Sequence, residues 1–241
     1  MRLHPRKRVG VLLLLLLFAG CDRGRSTERS SSNSTPGSAL NVFLLRHAEA
    51  NKNVQQDETF TGDPEALTAR GREQARAAGR FLKDEDILGV FTSPRPSTRG
   101  TAEAIAETLG LKNALFQKED LLPLKEGKEP DGKQTTWSWR EQQWESGHDP
   151  RPQGGESLQD GMDRASRAVE ALAEVYAGKS VIIVTHSDIC AALIGKAEQT
   201  PISECYRKHK VPLGSISKIS VSDQTWSLEG QGTIPEGTDS P

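Results

Sequence analysis

Two short apolar runs, VFLL at residues 42–45 and VIIV at 181–184, each stop at a histidine. The first runs into Arg46-His47 and the second through Thr185 into His186. An apolar run of this length between polar residues reads as a buried strand. Between the two lie other short β-rich runs and segments of helical period. Strands alternating with helices pack as a largely parallel sheet with helices on both faces. In such a sheet, ligands bind just beyond the carboxyl ends of the strands. Arg46 and the two histidines are therefore expected along one edge. An Arg beside a His at such an edge suits an anionic group: the guanidinium holds the charge, and the imidazole attacks or shuttles a proton.

Ahead of the first strand the chain changes character twice. Residues 1–21 open with Arg2, Arg6, Lys7 and Arg8 and continue as an apolar core over residues 9–19. That is the layout of a signal peptide, and the core is short of the roughly 20 apolar residues a membrane span needs. It closes on Phe18-Ala19-Gly20-Cys21, which resembles a bacterial lipoprotein box, with Phe18 where Leu is usual. The resemblance implies that Cys21 is the lipidated N-terminus of a bacterial cell-envelope protein, anchored to a membrane and facing outside the cytoplasm. The alternatives are an ordinary secretory signal cleaved nearby or a short anchor. Residues 22–39 are Ser-rich, charged and nearly free of apolar side chains. They cannot bury enough surface to fold and are expected to form a disordered tether.

The folded domain is expected over residues 40–231, followed by a polar, disordered tail at 232–241. After the first strand, LTARGREQARAAGRFL at residues 67–82 predicts a helix, with Leu67, Ala75, Ala78, Phe81 and Leu82 near helical spacing and Thr68 as N-cap. Residues 87–92 predict a second strand, broken by Ser93-Pro94. A helix follows over 101–109, closed by Gly110, and then a third strand over 111–116. Residues 121–156 are rich in Gly and Pro, carry Trp137, Trp139 and Trp144, and have little periodicity. They read as a lid or binding loop, or as an excursion whose aromatics pack on the core. Residues 161–176 predict an amphipathic helix with Met162, Ala165, Val169, Leu172 and Val175 on one side. Another helix starts at 189–196, and strands at 213–221 and 226–231 close the domain around a turn at 222–224. A net charge of -2 gives no general affinity for nucleic acid. Cys21, Cys190 and Cys205 form neither a metal-ligand spacing nor a disulfide framework, and His4, His148 and His209 are too scattered for a metal site. No metal and no cofactor are expected.

LLRHAEANKN at residues 44–53 resembles the signature RHGExxxN of the histidine phosphatase superfamily, the phosphoglycerate mutase-like proteins of its branch 1. Arg46, His47, Glu49 and Asn53 match, and Ala48 stands in place of Gly. The similarity continues in order through the helix at 67–82, Ser93-Pro94 and His186, over roughly residues 40–230. It implies a three-layer αβα sandwich with a mostly parallel central sheet. It also implies roles: His47 as the nucleophile that takes the phosphoryl group, Arg46 and His186 flanking the phosphate, and Asn53 donating a hydrogen bond to it. LLPLKEGKEPD at 121–131 resembles the segment that supplies the proton donor in the family's protein-phosphatase-like members. This makes Glu126 the candidate acid, with Glu119, Asp120 and Glu129 as neighbouring acids. Glu156, in GGES, matches a family element expected to cap the next helix.

One position departs from the pattern. The family's SPxxRAxxTA carries a second phosphate-binding Arg, and SPRPSTRGTA at residues 93–102 places Ser97 there. Arg95 and Arg99 lie two residues to either side, about 200° away on a helix. Arg99 reaches the phosphate if Pro94 and Pro96 make the loop irregular; Arg95 does so if the backbone before the helix is free.

The expected function is hydrolysis of a phosphomonoester through a phosphohistidine at a membrane surface. The substrate is a phosphorylated small molecule, an envelope component or a phosphoprotein. A catalytically weakened phospho-ligand-binding protein, or a phosphomutase, are the alternatives. Because lipidation is tied to one thiol, Cys21→Ala is expected to lose acyl labelling and to leave the membrane fraction; equal acyl labelling of variant and parent removes the anchor.

Overall fold

The computed structural model describes residues 38–54, 61–223 and 225–236. The signal segment, most of the tether, Gln224 and the last five residues of the tail lie outside them. Strand β1 (Leu40–Arg46) is followed by the short helix α1 (Asn51–Val54), then α2 (Ala69–Phe81), β2 (Ile87–Thr92), α3 (Pro96–Leu109) and β3 (Leu115–Gln117). Next come α4 (Trp137–Glu145), α5 (Leu158–Val175), β4 (Ser180–Thr185), α6 (Ser187–Ala197), α7 (Ile202–His209), β5 (Ile216–Ser222) and β6 (Thr225–Thr233). The strands form one six-stranded sheet in the order β3-β2-β4-β1-β5-β6. The first four are mutually parallel, and β5 and β6 add as antiparallel strands on the far side of β1. This is the mostly parallel α/β architecture expected from the alternation of strand and helix signals.

The central strands are apolar on both faces because both faces are covered. Phe43, Leu45, Ile182 and Val184 point to one side and pack with Ala75, Ala78 and Leu82 around α2 and Ala102, Ile105 and Ala106 of α3. Val42, Leu44, Val181 and Ile183 point to the other side, under α5, α6 and α7. The small Ala faces of α2 and α3 let both helices sit close to the sheet. Among the described residues no helix is long and apolar enough to cross a membrane.

Several boundaries differ from expectation for local reasons. Helix α3 begins at Pro96, not at residue 101, because a proline at the first helical position lacks only an N–H that would be unpaired anyway. Phe81 and Val175, expected on apolar faces, are 53% and 73% exposed. Each is the last residue of its helix; at the end of α2 the C-cap Leu82 is buried instead. The third strand shrinks to three residues because Lys112–Ala114 form a 3-10 turn. The aperiodic stretch contains α4, capped by Thr136.

Strand register sets the site. Arg46 lies opposite Thr185 and Thr92 opposite Val184, so three strands end level. The chain after β1 is then clamped onto α2. Glu49 accepts from the Thr68 hydroxyl at 2.7 Å, its N–H donates to the Gln74 side chain, and its carbonyl accepts from Thr68 N–H. Gly71 makes this approach possible: a Cβ there would lie 1.9 Å from the Glu49 carbonyl oxygen. Gly71→Ala must therefore displace backbone, and it is expected to cost about 1–3 kcal/mol or more, read as a lowered Tm. An unchanged Tm would mean that the loop after His47 yields freely.

Candidate active site

A cleft of about 1150 Å³ opens beyond the carboxyl ends of β1, β2 and β4. Arg46, His47 and His186 line it, together with Asn53, Arg95 and Glu126. That volume exceeds the range of ordinary small-molecule sites, about 300–1,000 Å³, so the cleft holds far more than a phosphate.

His47 is buried at the floor. Its Nδ1 lies 2.8 Å from the Ala48 carbonyl oxygen. A carbonyl can only accept, so Nδ1 carries the proton and Nε2 keeps its lone pair. Burial lowers the His47 pKa to about 4, against the pull of the Ala48 bond, and the charges of Lys52 and Arg46 push the same way. The imidazole is thus neutral and oriented, as a nucleophile must be.

The His186 ring stands edge-on to it, with centroids 5.5 Å apart. Its Nε2 lies 2.8 Å from Ser93 Oγ, which lies 2.7 Å from Thr98 Oγ1. The Thr98 hydroxyl faces the carbonyls of Ser93 and Arg95 and spends its proton there. Ser93 then donates to Thr98, and His186 Nε2 donates to Ser93. Burial, then the neighbouring His47, Lys52 and Arg95, hold the His186 pKa well below its ordinary value.

Arg46 donates from Nη1 to the Val211 carbonyl at 2.7 Å, and its Nε is buried without an acceptor among the described residues. Asn53 accepts the Ala50 N–H at Oδ1, which leaves its amide N–H groups to donate. Arg95 is the N-cap residue of α3 and lines the cleft. Arg99 does not line it. The irregular loop that would have turned it inward does not form, because α3 already starts at Pro96. Arg99 instead pairs with Glu103 at 3.5 Å on the outer face of the helix. Ser97 is fully buried and donates to Glu65 at 2.8 Å, and Glu65 accepts from Lys52 at 2.7 Å.

Glu126 lines the cleft from the segment after residue 121, exposed, accepting from Gln134 Nε2 at 3.2 Å. Glu119 and Asp120 also line the cleft, whereas Glu129 does not and accepts the Thr136 N–H at 3.3 Å. The segment bearing Glu126 is braced from behind. The buried Asp188 carboxylate accepts the Leu124 N–H at 2.8 Å, and Thr185 donates to the Leu121 carbonyl. Arg140 donates to the carbonyls of Lys125 and Glu156. Glu156 does not cap a helix, since Ser157 and Asp160 form the capping box of α5. It pairs through both oxygens with Arg164 and accepts the Lys125 N–H. Lys52, Glu65 and Thr98 are contributors that the sequence did not single out, whereas Ser93 stood in the matched Ser93-Pro94 pair. Of the three, Lys52, inside the signature and next to Asn53, carried a signal.

The depressed His47 pKa fixes a sign. The unfolded chain takes up this proton near pH 6.5, whereas the folded protein resists it until about pH 4. Stability is therefore lost as pH falls through that window, by on the order of 3 kcal/mol. His47→Asn is expected to flatten the dependence of Tm on pH between 6.5 and 4, and NMR is expected to find a neutral His47 ring at pH 5.5.

Comparison with known proteins agrees with this geometry. A probable phosphoglycerate mutase, GpmB, of Salmonella choleraesuis is 27% identical over 202 residues, covering 79% of this chain and 89% of the relative. Bacillus stearothermophilus YhfR superposes with a TM-score of 0.65 at 24% identity, over 81% of this chain and 98% of its own. The mycobacterial glucosyl-3-phosphoglycerate phosphatase in complex with VO3 superposes with a TM-score of 0.64 at 21% identity, over 80% of this chain and 99% of its own. The family model for the histidine phosphatase superfamily (branch 1) matches residues 42–233, and with the strand-end histidines in place the chain belongs to that superfamily.

Proposed function

We propose that this protein hydrolyses a phosphomonoester of a small molecule through a phosphohistidine at His47, and that it does so while tethered to a bacterial membrane through Cys21. The observation that carries the catalytic reading is the Nδ1 bond of the buried His47 to the Ala48 carbonyl, which leaves Nε2 free beside Arg46 and His186. Phosphoryl transfer asks little of the protein beyond positioning and charge stabilisation. Arg46, with a buried donor unspent, holds one oxygen, and Asn53 and Arg95 hold the others; His186, neutral with its Nε2 proton given to Ser93, flanks the phosphate without donating to it. The Nε2 lone pair forms the N–P bond as the P–O bond to the leaving group breaks, and Glu126 gives its proton to the departing oxygen. Glu126 then takes a proton from water, whose oxygen displaces the histidine and releases inorganic phosphate.

The substrate class follows from size and kinship. The cleft has room for an organic group beyond the phosphate, and relatives named for a phosphoglycerate and a glucosyl-3-phosphoglycerate act on small phosphorylated acids. The lipobox-like end of residues 1–21 supports the anchor and an extracytoplasmic location. A weakened, ligand-binding protein is the second reading, favoured by Ser97 in place of an Arg.

Turnover of an aryl phosphate separates the two. The parent is expected to turn over and to give an acid-labile phosphoryl label, which His47→Ala abolishes. Arg95→Ala is expected to raise the barrier by about 2–4 kcal/mol, while Arg99→Ala leaves it unchanged. A label that survives in His47→Ala places the nucleophile elsewhere.

A further inference from the structure

Position 97 is a substitution with a structural answer. Ser97 donates to one oxygen of Glu65, and the other oxygen accepts from Lys52 at 2.7 Å. Both carboxylate oxygens are therefore engaged. Burial works to raise the Glu65 pKa, but the hydrogen bonds from Lys52 and Ser97 hold it below the usual carboxylate range. Glu65 is thus a fixed anion with a serine on one side and an ammonium on the other.

Lys52 extends from α1, within the loop that carries the signature, and lines the cleft together with Glu65, Arg46, His47 and His186. A lysine stem is flexible and loses much rotamer freedom when it binds an anion. Pairing with a carboxylate that is itself pinned removes part of that loss in advance. The ammonium has three donors, and the Glu65 bond uses one.

We propose that Lys52, aimed by Glu65 and Ser97, binds the transferring phosphoryl group in place of the guanidinium that the family pattern puts at position 97. The inference rests on the phosphatase reading above. The placement of charge supports it. Lys52 lines the same cleft as His47 and His186, and its charge, like that of Arg46, holds both imidazoles toward the neutral form. A phosphoryl group between the imidazoles would share that cleft with the Lys52 ammonium. Ser97 needs no reach of its own: a short hydroxyl suffices to hold Glu65, and a fully buried position has no room for a long side chain without rearrangement.

The test is vanadate affinity by calorimetry, alongside aryl phosphate kinetics and Tm, for the parent and for Lys52→Met, Lys52→Gln and Lys52→Arg. Both neutral variants are expected to bind vanadate at least about ten-fold more weakly and to lose about 100-fold or more in kcat. Tm is expected to stay near that of the parent, because a partly exposed ion pair adds little stability. Lys52→Arg is expected to recover most of the vanadate affinity. A parent that binds vanadate and neutral variants that bind it equally well overturn the proposal and leave the phosphatase reading standing. A parent that neither binds vanadate nor turns over substrate overturns both.

Discussion

The parallel pairing of β1 with β4 is the constraint on which the site depends. Arg46 lies opposite Thr185, and the His47 N–H donates to the Thr185 carbonyl at 2.9 Å, one step past the end of β1. This last bond carries the register into the loop and leaves His47 and His186 at the same level. A slip of one residue would turn Val42 and Leu44 toward α2 and α3 and aim the histidines into opposite layers. Such a slip is opposed by the whole core, because β1 and β4 bury alternate residues into two separate clusters. The stability of the sheet and the geometry of the site are one requirement.

Burial then does chemical work. An imidazole in water is partly protonated near neutrality and samples both tautomers. Enclosing His47 removes the first problem by disfavouring the cation, and the Ala48 carbonyl removes the second by fixing the proton on Nδ1. His186 is fixed differently, through side chains: Ser93 and Thr98 form a hydroxyl chain that ends on backbone carbonyls at the start of α3. The cost is a pair of buried groups that must become charged if pH falls, so the site and the acid tolerance of the fold are coupled.

What the sequence disclosed and what it concealed divide by distance along the chain. The strand ends, α2 with its Thr68 cap, and the RHAExxxN match were legible because each is set within a few residues. The choice between Arg95 and Arg99 was not legible because it depended on where α3 begins, and a proline at N1 moves that start forward by five residues relative to the apolar pattern. Glu65 was invisible for a different reason. Its partners lie 13 and 32 residues away, in the signature loop and in α3. No period or motif links such positions; only the folded sheet edge brings them together. Helix α4 was hard to read because its nine residues, WSWREQQWE, carry only three apolar side chains, two of which, Trp137 and Trp144, pack on each other and on Tyr206.

The cleft carries acids as well as bases, and their partners decide which of them a substrate would meet. Arg140 and Arg164 donate to backbone carbonyls, and Arg164 also holds Glu156. Asp188 is occupied by the N–H groups of Leu124 and Ile189, and Glu65 by Lys52 and Ser97. These groups support the walls. Arg46, Lys52 and Arg95 line the cleft with the two histidines as cations with donors to spare. The acids Glu119, Asp120 and Glu126 line it from the braced segment, with Lys125 among them. Under the proposed function, a phosphate would be drawn to the three cations beside the histidines, and the organic group it leaves would meet the mixed charges of the braced segment. On that reading substrate choice falls to residues 122–126 and 135–137, including Trp137, while the chemistry stays with the strand ends.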